Sequence, residues 1–151
     1  MTTLTKFLIA CLIAFALGLF IGGHALASGH DVRVGLLLAS THHVDPSDDR
    51  EDFNEDNLGV YVMYDGWIGG TFKNSHDEQA LLAGYEYSFT RWRHAELSTT
   101  WALANGYQDD PHFAGEWQAL VTFNVRIGPV KTYHSPIVSA IGVEHQVAGH
   151  E

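Results

Sequence analysis

Trp117-Gln118-Ala119-Leu120-Val121-Thr122-Phe123-Asn124-Val125-Arg126 is the stretch that decides the fold of this chain. Trp117, Ala119, Val121, Phe123 and Val125 form one series, and Gln118, Thr122, Asn124 and Arg126 the other, broken only by Leu120. Successive side chains of a strand point to opposite faces, so a period of two reads as a β-strand with one apolar and one polar face. Gly128-Pro129 supplies the turn that ends it.

The same alternation recurs on both sides. Residues 31–39, 58–64, 67–73, 79–89, 95–103, 130–134 and 137–147 are further strand-like runs, and no amphipathic helix follows residue 30. Leu58, Val60, Val62 and Tyr64 share a face, as do Leu81, Ala83, Tyr85, Tyr87 and Phe89 opposite Gly84, Glu86 and Ser88. Asp65-Gly66 is a tight-hairpin dipeptide, tolerant of positive φ. Gly69-Gly70 inside a run suggests a bulge or a barrel bend. About eight runs with breaks that alternate long and short predict an antiparallel up-and-down β-barrel, because alternate connections then share an end. The long breaks (40–57, 104–116) and the intermediate one (74–78) gather most of the acidic residues with His42, His43, His76 and His112, and His134 borders the same end. The opposite end carries Arg91 and Arg93, with Arg126 and Lys131 near it. The connection at Ser135-Pro136 is short and departs from the alternation.

The first 27 residues read as a secretory signal peptide. Lys6 precedes an apolar run from residue 7 to 21, and Ala25-Leu26-Ala27 has the small-x-small form of a cleavage site. An uncleaved anchor is the alternative, since the apolar stretch approaches bilayer length. Residues 28–151 are then a single β-barrel domain. Cleavage removes Cys11, the single cysteine of the chain, so the exported domain is held by its core or its closed sheet and by no disulfide. It also leaves 7 basic against 18 acidic residues, a formal charge of −11. Such a chain is a poor partner for nucleic acid, whose phosphates require clustered Lys and Arg. No cofactor motif is present, and no cofactor is expected.

Short turns at one end, longer loops at the other and aromatics near strand ends (Tyr64, Trp67, Phe89, Trp92, Tyr107, Trp117) fit an outer-membrane barrel. Glu86, Glu96, Arg126 and Glu144 fall on the faces that pair inside such a barrel. Against it stand several runs of about seven residues, short for a tilted membrane strand, and an end, Val147-Ala148-Gly149-His150-Glu151, without a terminal aromatic. A soluble periplasmic barrel is the runner-up. Outer-membrane lipid is the expected partner in the first case and a small ligand in the second.

The first long break holds Ser40-Thr41-His42-His43, Asp45, Asp48, Asp49 and Phe53-Asn54-Glu55-Asp56-Asn57. An acidic run of this kind is first of all a solvated loop. Its carboxylate and amide oxygens also suit a divalent cation such as Ca²⁺, and His42 and His43 add nitrogen ligands for Zn²⁺. A third reading is catalysis: His42 as base, Ser75 as nucleophile and Glu55 as the orienting carboxylate, drawn from neighbouring loops. Asn74-Ser75-His76 directly follows the third run and faces the first loop across two strands.

Ser40-Thr41-His42 followed by Phe53-Asn54-Glu55-Asp56-Asn57-Leu58-Gly59 resembles an S-x-H … (Y/F)-N-E-x-N-x-G signature of small exported β-barrel proteins of tailed phages and some bacteria. Lys73-Asn74-Ser75, Ala83-Gly84-Tyr85 and Arg126-Ile127-Gly128-Pro129-Val130 are similar to further motifs of that group. The resemblance spans residues 31 to about 144, implies a barrel and carries no assigned activity. It supports the fold more than any function; beside the candidate trio His42, Glu55 and Ser75, the loop-site candidates read from the residues are Ser40, Asn54, Asn57, Asn74 and His76. A looser, fold-level analogy links the chain to the lipid A palmitoyltransferase and deacylase barrels, whose motifs are not found here. The expected function is that of a small, phage-related envelope protein acting through its acidic, His-rich loops as a binding or surface-modifying element. The alternatives are an acyltransferase or acyl hydrolase of envelope lipid and a soluble periplasmic ligand-binding barrel.

Overall fold

The computed structural model describes residues 30–43, 55–74, 77–106 and 117–149. The signal-peptide assignment for residues 1–27 lies outside them. Eight strands follow in order: β1 (Val32–His42), β2 (Gly59–Tyr64), β3 (Trp67–Lys73), β4 (Gln79–Trp92), β5 (Ala95–Asn105), β6 (Trp117–Ile127), β7 (Val130–His134) and β8 (Val138–Ala148). Each pairs antiparallel with its sequence neighbour, and β1 pairs with β8 to close an up-and-down barrel.

The short turns are tighter than the sequence suggests. Asp65 and Gly66 both have positive φ, as the hairpin dipeptide requires. β4 and β5 continue to a two-residue turn at Arg93-His94, where the alternation alone leaves a break of 90–94. Backbone bonds tie this rim together: Glu86 N–H donates to Gly66 O at 2.8 Å, Gly128 N–H to His94 O at 2.7 Å and Glu144 N–H to Pro129 O at 2.7 Å.

Two expectations are corrected. β1 extends through Ser40, Thr41 and His42, so these are strand residues, held by β8 through Ala140, Ser139 and Val138. Gly69-Gly70 makes no bulge: the ladders from β3 to β2 and β4 run unbroken through both glycines. Gly70 is needed because a Cβ there would lie 2.5 Å from Val60 O. The register shifts fall elsewhere, between Val32 and Arg33, between Leu37 and Ala39 and between Ser88 and Thr90. All three are in long strands, where an extra residue increases local twist and curvature.

Five strands have 11 or more residues, β4 reaching 14, so the shortness inferred from the runs holds only for β2, β3 and β7. The faces are sorted in an unusual sense. Arg33, Glu86, Glu96, Asn124, Lys131 and Glu144 point inward and are buried. Large apolar residues point outward and are exposed, among them Trp67 at 66 %, Trp92 at 70 %, Trp101 at 61 % and Ile127 at 65 %. The apolar core in the usual sense is small, a group of Tyr61, Met63 and Ile68 with Leu82 and Tyr133 against it.

Candidate functional site

The motif residues gather on β1–β3 at the loop end. Strand alternation turns Ser40 and His42 toward the barrel interior, while Thr41 faces out. Ser40 N–H donates to Glu55 O at 2.9 Å, and Asn57 Nδ2 donates to Ser40 Oγ. Lys73 N–H donates to Leu58 O at 2.9 Å, which brings Asn74 alongside the segment that holds Asn57. Ser40, Asn57 and Asn74 are all buried, and Glu55 is exposed.

Asn74 has a legible local role. Its Oδ1 accepts the Glu78 N–H at 2.9 Å, its backbone N–H donates to Glu78 O at 2.8 Å, and its Nδ2 donates to Gly106 O. One side chain thus folds the β3–β4 connection and links it to the segment leaving β5. Asn105 adds to the same junction, its Oδ1 accepting the Leu81 N–H at 2.7 Å. These bonds explain why Asn recurs at the loop end: a side-chain amide satisfies backbone groups of irregular segments that no ladder reaches. Asn54, Ser75 and His76 lie outside the described residues. His42 and Glu55 come to the same end of the barrel, through the backbone bond from Ser40, and the hydroxyl of the proposed trio is not among the described groups. Among the described residues no group of three or more His, Cys, Asp or Glu side chains is arranged to hold a metal ion. Asp45, Asp48 and Asp49 of the acidic loop are outside them.

The interior near the short turns is a buried charge network. Lys131 Nζ donates to both oxygens of Glu86 at 2.7 Å and to Glu144 Oε2 at 2.9 Å. Arg33 Nη1 donates to Glu96 Oε2 at 3.1 Å and to Glu144 Oε1 at 3.2 Å, and Arg33 Nη2 to Asp31 at 2.6 Å. Arg126 Nη2 donates to Glu96 at 2.5 Å, and Tyr61 OH to Glu144 Oε2 at 2.9 Å. Arg91 Nη2 adds a bond to Glu96 Oε1 at 3.1 Å, so four carboxylates, with Asp31 included, meet four cations, which is the condition for keeping charge out of water without a large net cost. The alternation had aimed Glu86, Glu96, Arg126 and Glu144 at one another. It missed Arg33 and Lys131 as interior partners. The available signal was a cation placed within a strand run, Arg33 between Val32 and Val34 and Lys131 between Val130 and Thr132.

No family model matches the chain, and no curated protein matches it.

Proposed function

We propose that this chain is a small exported barrel of the outer membrane, phage-related by its motifs, which acts through its long acidic, His-rich loops as a binding or surface-modifying element. The supporting observation is the inverted polarity of the sheet, with charged residues buried inside and many large apolar side chains exposed outside. In water such an exterior is costly, at about 25 cal/mol for each Å² of apolar surface, and large exposed apolar patches mark contacts with protein or membrane. In a bilayer the cost disappears, and a closed barrel leaves no backbone edge unpaired. Trp67 packs edge-on against Tyr85, with ring centroids 5.3 Å apart, and Arg93 lies over Trp92 at the turn end, which suits an interfacial aromatic belt. Strands of 11 to 14 residues are long enough to cross at a tilt.

The reading is tested by fractionation. The protein is expected in the outer-membrane fraction, with a gel mobility that changes on heating. Recovery of the mature chain in a detergent-free osmotic-shock extract would overturn it in favour of a periplasmic barrel.

A further inference from the structure

A second group of reactive side chains lies on the outer face of the β7–β8 hairpin. His134 and Ser139 are cross-strand partners, and Thr41 of β1 pairs with Ser139 from the other side. Lys131 and Tyr133 of β7 point inward, so Thr132 and His134 point out, as does Ser139 opposite His134. Ser139 Oγ lies 2.9 Å from His134 Nδ1 and 2.7 Å from His43 Nε2. His134 Nε2 lies 3.0 Å from Thr132 Oγ1. Thr132 Oγ1 donates in turn to Val125 O at 3.3 Å.

The donors and acceptors fix a direction. The Val125 carbonyl can only accept, so the Thr132 hydroxyl proton points to it. Thr132 Oγ1 then accepts from His134, which places the imidazole proton on Nε2. His134 Nδ1 is left as the acceptor and takes the Ser139 hydroxyl proton. Ser139 Oγ accepts from His43 Nε2–H. A hydroxyl hydrogen-bonded to an unprotonated ring nitrogen, whose other nitrogen is anchored, is the arrangement of an activated serine. Here a threonine leaning on a backbone carbonyl stands where a carboxylate commonly orients the ring.

We infer that Ser139, with His134 as base, is a nucleophile toward a carboxylic ester, and that its substrate is a fatty-acyl ester reaching the outer face of the barrel. The substrate class follows from the surroundings and rests on the membrane reading: the group shares its face with Phe123, the β6 partner of His134, and with Ile141, both exposed. An acyl chain can lie on these side chains with its carbonyl at Oγ. Oγ bonds to the carbonyl carbon while its proton passes to His134 Nδ1. The carbon–oxygen bond to the alcohol then breaks, and the alcohol leaves with that proton. Water attacks the acyl-serine, gives a proton to Nδ1 and releases the fatty acid, and the proton returns to Oγ. His43 Nε2–H donates to Oγ at rest and is a donor within reach of the oxyanion. Thr132 is a positioning residue.

The full chain, extracted from cells with detergent and checked for β-structure by circular dichroism, is tested in two arms. One offers p-nitrophenyl butyrate, a soluble ester. The other offers phosphatidylglycerol vesicles containing lipopolysaccharide. A fluorophosphonate is added separately, and its adduct is located by mass spectrometry. Fatty acid release in the vesicle arm and an adduct on Ser139 are expected, both lost in Ser139→Ala. His134→Gln is expected to lower turnover by about 10²-fold or more. Thr132→Val is expected to lower kcat with KM unchanged and to displace the pH–rate profile. Folded protein with neither turnover nor adduct, or Ser139→Ala with full activity, overturns the inference even if the chain fractionates with the outer membrane. Turnover of the soluble ester alone overturns the lipid substrate. Recovery in the osmotic-shock extract defeats the membrane reading, and with it the fatty-acyl assignment.

Discussion

The two halves of the barrel interior are built on different principles. Near the short turns, Lys131, Arg33 and Arg126 neutralise Glu86, Glu96 and Glu144, and the rim is closed by backbone bonds from one turn to the next. Near the loops the lining is small and neutral: Ser40, Asn57, Asn74, Ala80, Ala104 and Gln118, tied by amide and hydroxyl bonds to irregular chain. The first half holds its shape through charges that cannot leave one another without great cost. The second depends on bonds of ordinary strength, which suits an end whose task is to present loops. Stability and display are thereby separated along one axis.

The contrast can be broken most severely at Lys131. Lys131→Met leaves Glu86 and Glu144 buried without their shared cation, and a loss of about 3–5 kcal/mol is expected. Urea unfolding in detergent micelles measures it, and a loss below that of the loop-end variant would refute the division. Asn74→Ala is that variant. It removes an acceptor from the Glu78 N–H and a donor from Gly106 O, at an expected cost of about 1–3 kcal/mol for buried groups left unpaired. Proteolysis should then quicken in the β3–β4 connection and leave the turn end intact. Tyr133→Phe removes the bond from Tyr133 OH to Tyr61 OH, which measures 2.6 Å. Because Tyr61 still donates to Glu144, the expected loss is about 0.5–1.5 kcal/mol.

The smallest effect belongs to the exposed turn at Asp65. The Asp31 backbone N–H donates to its carboxylate, His30 approaches at 2.6 Å, and these hold the Asp65 carboxyl below its ordinary value. A lowered carboxyl contributes stability that is present above the ordinary carboxylate range and is lost as pH falls through the folded value. Asp65→Asn, which keeps a residue tolerant of positive φ, should therefore flatten the acid limb of the melting temperature and leave neutral pH little changed. An unchanged acid limb would remove Asp65 from the account.

Much of this was legible in the chain because a strand writes its faces directly into its sequence. The alternation in 117–126 and its repeats gave the strand count, the antiparallel order and the faces of Glu86, Glu96, Arg126 and Glu144. It also gave β3 and β7 with their observed ends. Strand ends were less legible where polar residues continue a strand. Ser40, Thr41 and His42 look like loop chemistry, yet pairing with β8 keeps them extended, a tertiary constraint that propensity does not carry. The bulge expected at Gly69-Gly70 failed for a related reason: a glycine demanded by the close approach of a neighbouring strand, as at Gly70, looks the same in sequence as one that makes a bulge. The motif around Ser40, Asn57 and Asn74 was visible as a cluster, but its hydrogen-bonding role was not, since that depends on where the Glu78 and Gly106 backbones lie.

By itself, then, the sequence determined the local conformation and the sorting of side chains, because period-two patterning is a property of neighbouring residues. Only the closed structure decided the partners. Arg33 meets Glu96 and Glu144 from 63 and 111 residues away, and His43 meets Ser139 across 96. Such encounters are set by the register in which β1 closes on β8. A shift of β1 by one residue there would turn Arg33 outward and Leu36 in.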